Sequence, residues 1–405
     1  MLKIKCKEYN FTNIIMVITW ILLFAGIIDL NIGSVSISWM AIRINLIFTS
    51  VVFLIYSFKY GINRLQISVL VIGFLLLIVQ CAGLFIHFNN YSLTTIIMTA
   101  LIFIYISFAV VIDYSKLNIK TYKIFYYILI FSSLIDLYIN KGKYLVNYFI
   151  GANTLGGALV FLTIINILLN KNDRIVNKKF SFRIEYLSIF LITPLLMFTK
   201  ARTALFTLVL FILFYIFISK AKLKRRNAIV FFWIIIVTSI AGVYFYSQAI
   251  TYSFYGELNE ISVQLFGKNI DSSRPWLWRE SLNILDNQWL FGMGTGIVAD
   301  DVIYFEGSFH NQFLQLLMQN GIVGLSLLYM LLFILWKQMA RYLNNQSVCL
   351  GAAALLTIII YNYFETTLLQ NKLALGIIQW QLIAIGASKA RILSLENNGK
   401  VESKK

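Results

Sequence analysis

Cysteine and proline are scarce in this sequence: 405 residues hold three of the first and two of the second. Cys6, Cys81 and Cys349 fall in the N-terminal tail or in apolar runs, far apart, so neither a disulfide framework nor metal-ligand spacing is available. Charge is scarce as well. Only 13% of residues are charged against 60% hydrophobic, and the mean hydropathy is +0.79, which excludes a soluble globular domain of ordinary composition. Acids are outnumbered, 17 to 34, by lysine and arginine, and histidine occurs twice. Alternation at period two is missing, which excludes an outer-membrane barrel and leaves helices as the spanning structure.

What is present is a series of long apolar runs. About 20 apolar residues carry a helix across the hydrocarbon, and that width gives twelve candidate spans: 12–30, 37–57, 65–86, 91–112, 122–139, 151–169, 184–199, 202–219, 228–247, 318–336, 348–364 and 373–388. The expected fold class is an all-α polytopic membrane protein with a large extracytoplasmic loop containing short helices. Residues 1–247 form nine spans, 248–317 the loop, 318–388 three further spans and 389–405 a cytoplasmic tail. No small-residue cleavage site follows the first span, which reads as a retained anchor.

A net charge of +17 is compatible with a polyanionic partner, but position decides otherwise. Most basic residues fall in alternate loops, from Lys3, Lys5 and Lys7 to "KAKLKRR" at 220–226, as the positive-inside rule requires. They set topology: both termini are predicted cytoplasmic, membrane lipids are the immediate partners, and no nucleic acid is expected.

The cations that break the rule are the candidates for chemistry. "TKARTAL" places Lys200 and Arg202 in a tight turn between two spans, as snorkelling anchors or as an anion site at the start of the next helix. Arg274 and Arg279, in the large loop, could both face a pyrophosphate through the guanidinium fork, or be solvated. Arg43 lies about six residues inside the second span, where an unpaired charge is costly, and either snorkels or meets substrate. No acid sits at mid-depth, which weighs against a proton-coupled transporter.

Within the loop, "SSRPWLWRESLNIL" starts like a helix, with Ser272 or Ser273 as cap, Pro275 in the first turn and Trp276, Leu277, Leu282 and Leu285 as an apolar side. Gly292, Gly294 and Gly296 read as a turn, since no βαβ unit surrounds them. From Phe309 to Gln319 the residues Asn311, Gln312, Gln315 and Gln319 share one face, which predicts an amphipathic helix lying at the membrane interface, broken at Asn320-Gly321 before the next span. His310 at its start is a candidate general base or an interfacial hydrogen-bonding residue; His87, in a four-residue outer loop, reads as structural.

Four of these stretches together resemble the superfamily of O-antigen ligases and Wzy-type O-antigen or capsular polysaccharide polymerases. They are "GANTLGG" at 151–157, "TKARTAL" at 199–205, "SRPWLWRESLNILDNQWLFGMGTG" at 273–296 and "HNQFLQLLMQNGIVGL" at 310–325. Two departures stand out: Ser273 where the family has glycine before its loop arginine, and Ala201 where a serine is common. The resemblance implies glycosyl transfer from an undecaprenyl-pyrophosphate-linked glycan at the outer face of the bacterial cytoplasmic membrane, without metal or cofactor. It implies His310, Arg274 and Arg202 as catalytic residues, and Lys200, Arg279, Arg43, Asn311, Asn153, Trp278 and Glu306 as substrate-binding ones. Glu306, Asp300 and Asp301 are rival bases to His310. The first expectation is a polymerase of lipid-linked repeat units, with a chain-length regulator as partner. A ligase using lipid A-core or another acceptor is the second, and a lipid-linked oligosaccharide flippase the third.

Overall fold

The computed structural model describes residues 2–28, 31–32, 35–141, 152–172, 178–199, 201–266, 269, 273–305 and 307–402. Helices α1 (Leu2–Ile27), α2 (Ile37–Tyr60), α3 (Arg64–Gly83), α4 (Asn90–Ala109), α5 (Lys120–Asn140), α6 (Ala152–Asn172), α7 (Lys178–Thr199), α8 (Arg202–Ala221) and α9 (Arg225–Ser247) come first. The short helices α10 (Tyr255–Phe266), α11 (Arg274–Ile284) and α12 (Ala299–Ile303) follow, then α13 (Gln312–Met339), α14 (Gln346–Asn362) and α15 (Leu373–Glu402). The strands among the described residues are a two-residue antiparallel pair, Asn31–Ile32 with Val35–Ser36, joining α1 to α2.

The chain is a multi-pass, all-α membrane protein. Each expected span overlays one of the twelve longer helices, and nine helices among the described residues are long and apolar enough to cross a membrane. The other three, α1, α7 and α14, carry shorter apolar stretches, Phe11–Ile27, Leu187–Thr199 and Gln346–Asn362. Asparagine starts several helices, with Asn63 and Asn89 forming reciprocal capping boxes and Asn345 capping α14.

Helices α6 and α15 are almost wholly enclosed, whereas α9 turns most of its length outward. Small residues let the inner helices touch. A side chain on Gly351 of α14 would meet the Gly386 backbone of α15 at 2.5 Å, and one on Gly156 of α6 would meet Ala204 of α8 at 2.7 Å. Phe74, Phe190, Met197 and Val237 stay exposed on the outside of the bundle, as lipid-facing positions should.

The segment between α9 and α13 has a small core of its own, in which Leu277, Trp278, Leu285, Ala299 and Phe309 pack against Leu314 and Met318. It is stitched into α13 at a break. Gly321 has φ 61° and ψ −165°, so the helical bonds from Ile322 and Val323 back to Met318 and Gln319 are not made. Instead Ile322 N donates to Trp289 O (2.8 Å) and Val323 N to Leu290 O (3.4 Å), while Met318 O accepts from Met293 N (2.7 Å) and Gln319 O from Gly294 N (3.2 Å). All four orphaned groups are satisfied by one six-residue stretch, which is what lets a broken helix exist inside a membrane protein.

This overturns the interfacial reading of the glutamine-rich stretch. Gln312, Gln315 and Gln319 are buried, at 0 to 1% exposure, and face protein backbone rather than lipid headgroups. Gln315 Nε2 and Gln319 Nε2 both donate to Ile297 O at 2.8 Å, and Gln312 Oε1 accepts from Leu369 N at 3.2 Å. The polar stripe is the seam that holds two connections, α11 to α12 and α14 to α15, against α13.

Candidate active site

His310 sits at that seam, just before α13. Trp278 donates its indole N–H to the carbonyl of Phe309 (2.9 Å), and Phe309 N donates to Gln315 Oε1 (3.3 Å). On the other side Asn311 caps α13, its Oδ1 accepting from Phe313 N and Leu314 N at 3.0 Å. Between two anchored neighbours His310 takes φ 51°, a left-handed conformation that costs energy for any side chain and concentrates at functional positions.

The connection between α14 and α15 supplies the next parts. Glu365 is 5% exposed; its Oε1 accepts from Arg274 Nη2 at 3.2 Å and from Asn153 Nδ2 at 2.9 Å, and its carbonyl accepts from Gln312 N at 3.1 Å. The ion pair is enclosed, with side-chain exposures of 13% for Arg274 and 6% for Glu365. Four chain segments therefore converge: the start of α6, the start of α11, the residues before α13 and those before α15. Phe364 packs below them, its ring 6.1 Å from Trp278 and 6.4 Å from Phe206 on α8.

The electrostatics follow from burial. Burial lowers the His310 imidazole to about 4, and the Arg274 and Lys372 charges push in the same direction, so the ring is neutral at physiological pH. Lys372 is lowered from its usual range by burial; Glu365 pulls it back up and Arg274 pushes it down. Two cations meet one carboxylate beside a neutral imidazole. Such a cluster attracts an anion and still offers an acceptor for a proton.

Of the residues singled out from the sequence, the structure gathers His310, Arg274 and Asn153 around Glu365. Arg202 starts α8 at the same end of the bundle, one turn before Phe206, and its guanidinium donates to Ser262 Oγ on α10 (2.9 Å) and to Asn269 O beyond that helix (3.0 Å). Arg279 lies five residues after Arg274 on α11, hence about 140° around the helix and not on the same face. Arg43 is exposed on α2, 5.6 Å over the Trp39 ring; Trp39 in turn lines a cavity of about 90 Å³ shared with Thr154 and Lys372. Lys200 and Glu306 lie outside the described residues.

Several of the singled-out side chains are engaged within the protein itself. Trp278 is buried, and its N–H is spent on Phe309, so it positions His310's loop. Asn311 uses its oxygen as a helix cap. Ser273 has φ 62° and makes no side-chain cap bond; the first turn of α11 closes through Leu277 N to Ser273 O (3.0 Å), and Trp276, expected on the apolar side, is exposed. Ser272 lies outside the described residues. Asp300 and Asp301 are exposed on α12, where Asp301 Oδ2 accepts from Val298 N at 3.0 Å. The three glycines of "GMGTG" do form a turn, all with positive φ, and His87 hydrogen-bonds Asn89 (2.9 Å) beneath Gly294.

Glu365 and Lys372 went unread as site residues. Their signal was available: "ETTLLQNK" puts an acid and a cation in a short connection between two apolar spans of a chain in which charge is scarce.

The family model described as O-antigen ligase matches residues 187–329. The matched stretch contains Arg202, Arg274 and His310, while Asn153, Glu365 and Lys372 lie outside it. No curated protein matches the chain.

Proposed function

We propose, from the match of residues 187–329 to the O-antigen ligase family model, that the chain is a membrane glycosyltransferase of the O-antigen ligase and Wzy superfamily and, within it, a polysaccharide polymerase. It joins undecaprenyl-pyrophosphate-linked repeat units at the outer face of the bacterial cytoplasmic membrane, alongside a chain-length regulator. One observation carries the reading: Arg274, Lys372, Glu365 and a neutral His310 meet at the end of the bundle where the loop folds over it.

A diphosphate is already a good leaving group, so the protein's task is to neutralise the charge that develops as the glycosidic bond breaks, and to orient the acceptor hydroxyl. Arg274 and Lys372 supply the charge. His310, neutral, donates or accepts a hydrogen bond at the reacting oxygens. Arg202 ties α10 to the bundle and brings a second guanidinium to the same end. In a deletion strain complemented with Arg202→Ala, Arg274→Ala or His310→Ala, each variant inserts normally and long-chain polysaccharide is lost. Normal chain length in all three would sink the assignment.

The ligase reading is favoured by the description of the matching family. Deletion separates the two: loss of a polymer ladder marks a polymerase, whereas full-length lipid-linked polymer accumulating unattached marks a ligase.

A further inference from the structure

Glycosyl transfer to a hydroxyl needs somewhere for the hydroxyl proton to go. His310 is badly placed to keep it, because protonation would put a third positive charge beside Arg274 and Lys372 in an enclosed site. Asp300 and Asp301 are exposed on α12, and Asp301 is engaged in its cap. Glu365 is different. Among the described residues it is the acid that the fold brings into the cluster, and both of its protein donors, Asn153 Nδ2 and Arg274 Nη2, fall on one oxygen, Oε1. Oε2 accepts no hydrogen bond among the described residues, and the side chain keeps 6% of its surface exposed. A carboxylate has about four acceptor positions, so Oε2 has its full capacity left. The backbone bond from Gln312 N to Glu365 O (3.1 Å) holds this group two residues along the chain from His310.

We propose that Glu365 is the proton acceptor of the transfer. The acceptor's hydroxyl oxygen bonds to the anomeric carbon, the bond from that carbon to the diphosphate oxygen breaks, the diphosphate leaves with the electron pair, and the hydroxyl proton passes to Glu365 Oε2. Arg274 has two jobs in this arrangement: it holds Oε1, which fixes the carboxylate, and it faces the departing diphosphate. Asn153 supplies the second hold on Oε1, so the carboxylate stays in place when Arg274 shifts toward phosphate. The proposal rests on the glycosyl-transfer reading above.

The test uses the full chain in lipid nanodiscs, with lipid-linked repeat units extracted from a strain lacking this gene as substrate and undecaprenyl pyrophosphate as the binding probe. Glu365→Gln keeps an oxygen for Asn153 and Arg274 but removes the base, so turnover falls about 100-fold or more while the probe binds as to the wild type. Glu365→Asp retains measurable turnover, with the acid limb of its pH–rate profile moved relative to wild type. A Gln variant turning over at near the wild-type rate overturns the proposal, as does an Asp variant whose acid limb is unmoved. Should the Gln variant fail to fold, the Asp profile decides alone. Arg274→Ala separates this from the broader reading: wild-type probe binding and polymer there would remove the site itself, whereas loss there with an active Glu365→Gln removes only the proton acceptor.

Discussion

Trp278 and Asn311 each donate or accept for backbone next to His310, and neither needs to touch a substrate to matter. Trp278→Phe keeps the ring contacts with Tyr246 and Phe364 but deletes the bond to Phe309 O. The expected cost is about 1 kcal/mol, read as a lowered melting temperature together with reduced polymer at a normal membrane level. The imidazole itself makes stability depend on pH. Its ordinary value is 6.5 and its value in the fold about 4. Above pH 6.5 the ring is neutral in both states and its contribution is complete; as pH falls toward 4 the unfolded chain takes up a proton that the fold refuses, and stability declines. His310→Gln flattens that decline in denaturation midpoints measured over this window, and an unchanged slope would contradict the assignment. At this scale Arg274, His310 and Asn153, the members of the candidate cluster named from sequence, were legible, because each lies in a local pattern. Glu365 was not: it meets Arg274 from 91 residues away, and nothing local to either residue reports the encounter.

The helices were legible for the reason that any membrane span is: a lipid-crossing segment must be apolar for about 20 residues, and these runs are. What covers a polar face was not. A stripe of glutamines along α13 says only that one side differs from the other, and water, headgroups or the backbone of a connecting segment can all satisfy it. The break at Gly321 makes its own prediction. A β-carbon there would lie 2.2 Å from Leu290 O, in a backbone region that essentially only glycine occupies, so Gly321→Ala destabilises by several kcal/mol. Limited proteolysis should then cut between α9 and α13 before it cuts any other connection, because the stretch from Trp289 to Gly294 loses its docking groups.

Across the whole molecule, charge placement predicts that the loop is outside and both termini inside. In a cysteine-free background, a membrane-impermeant maleimide labels Asp300→Cys in intact cells and leaves Asn397→Cys unlabelled until the membrane is opened; the reverse pattern would invert the topology. Both positions are exposed, so access and not burial decides the outcome. The converging segments also bear on transplantation. The recognisable family stretch, 187–329, carries Arg202, Arg274 and His310 but neither Glu365 nor Asn153 nor Lys372. Grafted into another membrane scaffold, it would arrive with its guanidinium stripped of a counter-charge and its histidine freed from one neighbouring cation. A chimera becomes competent only when the host's own spans offer an amide where α6 starts and an acid and a cation in the connection between α14 and α15, so compatibility between host and graft is a matter of three side chains lying outside the part being moved.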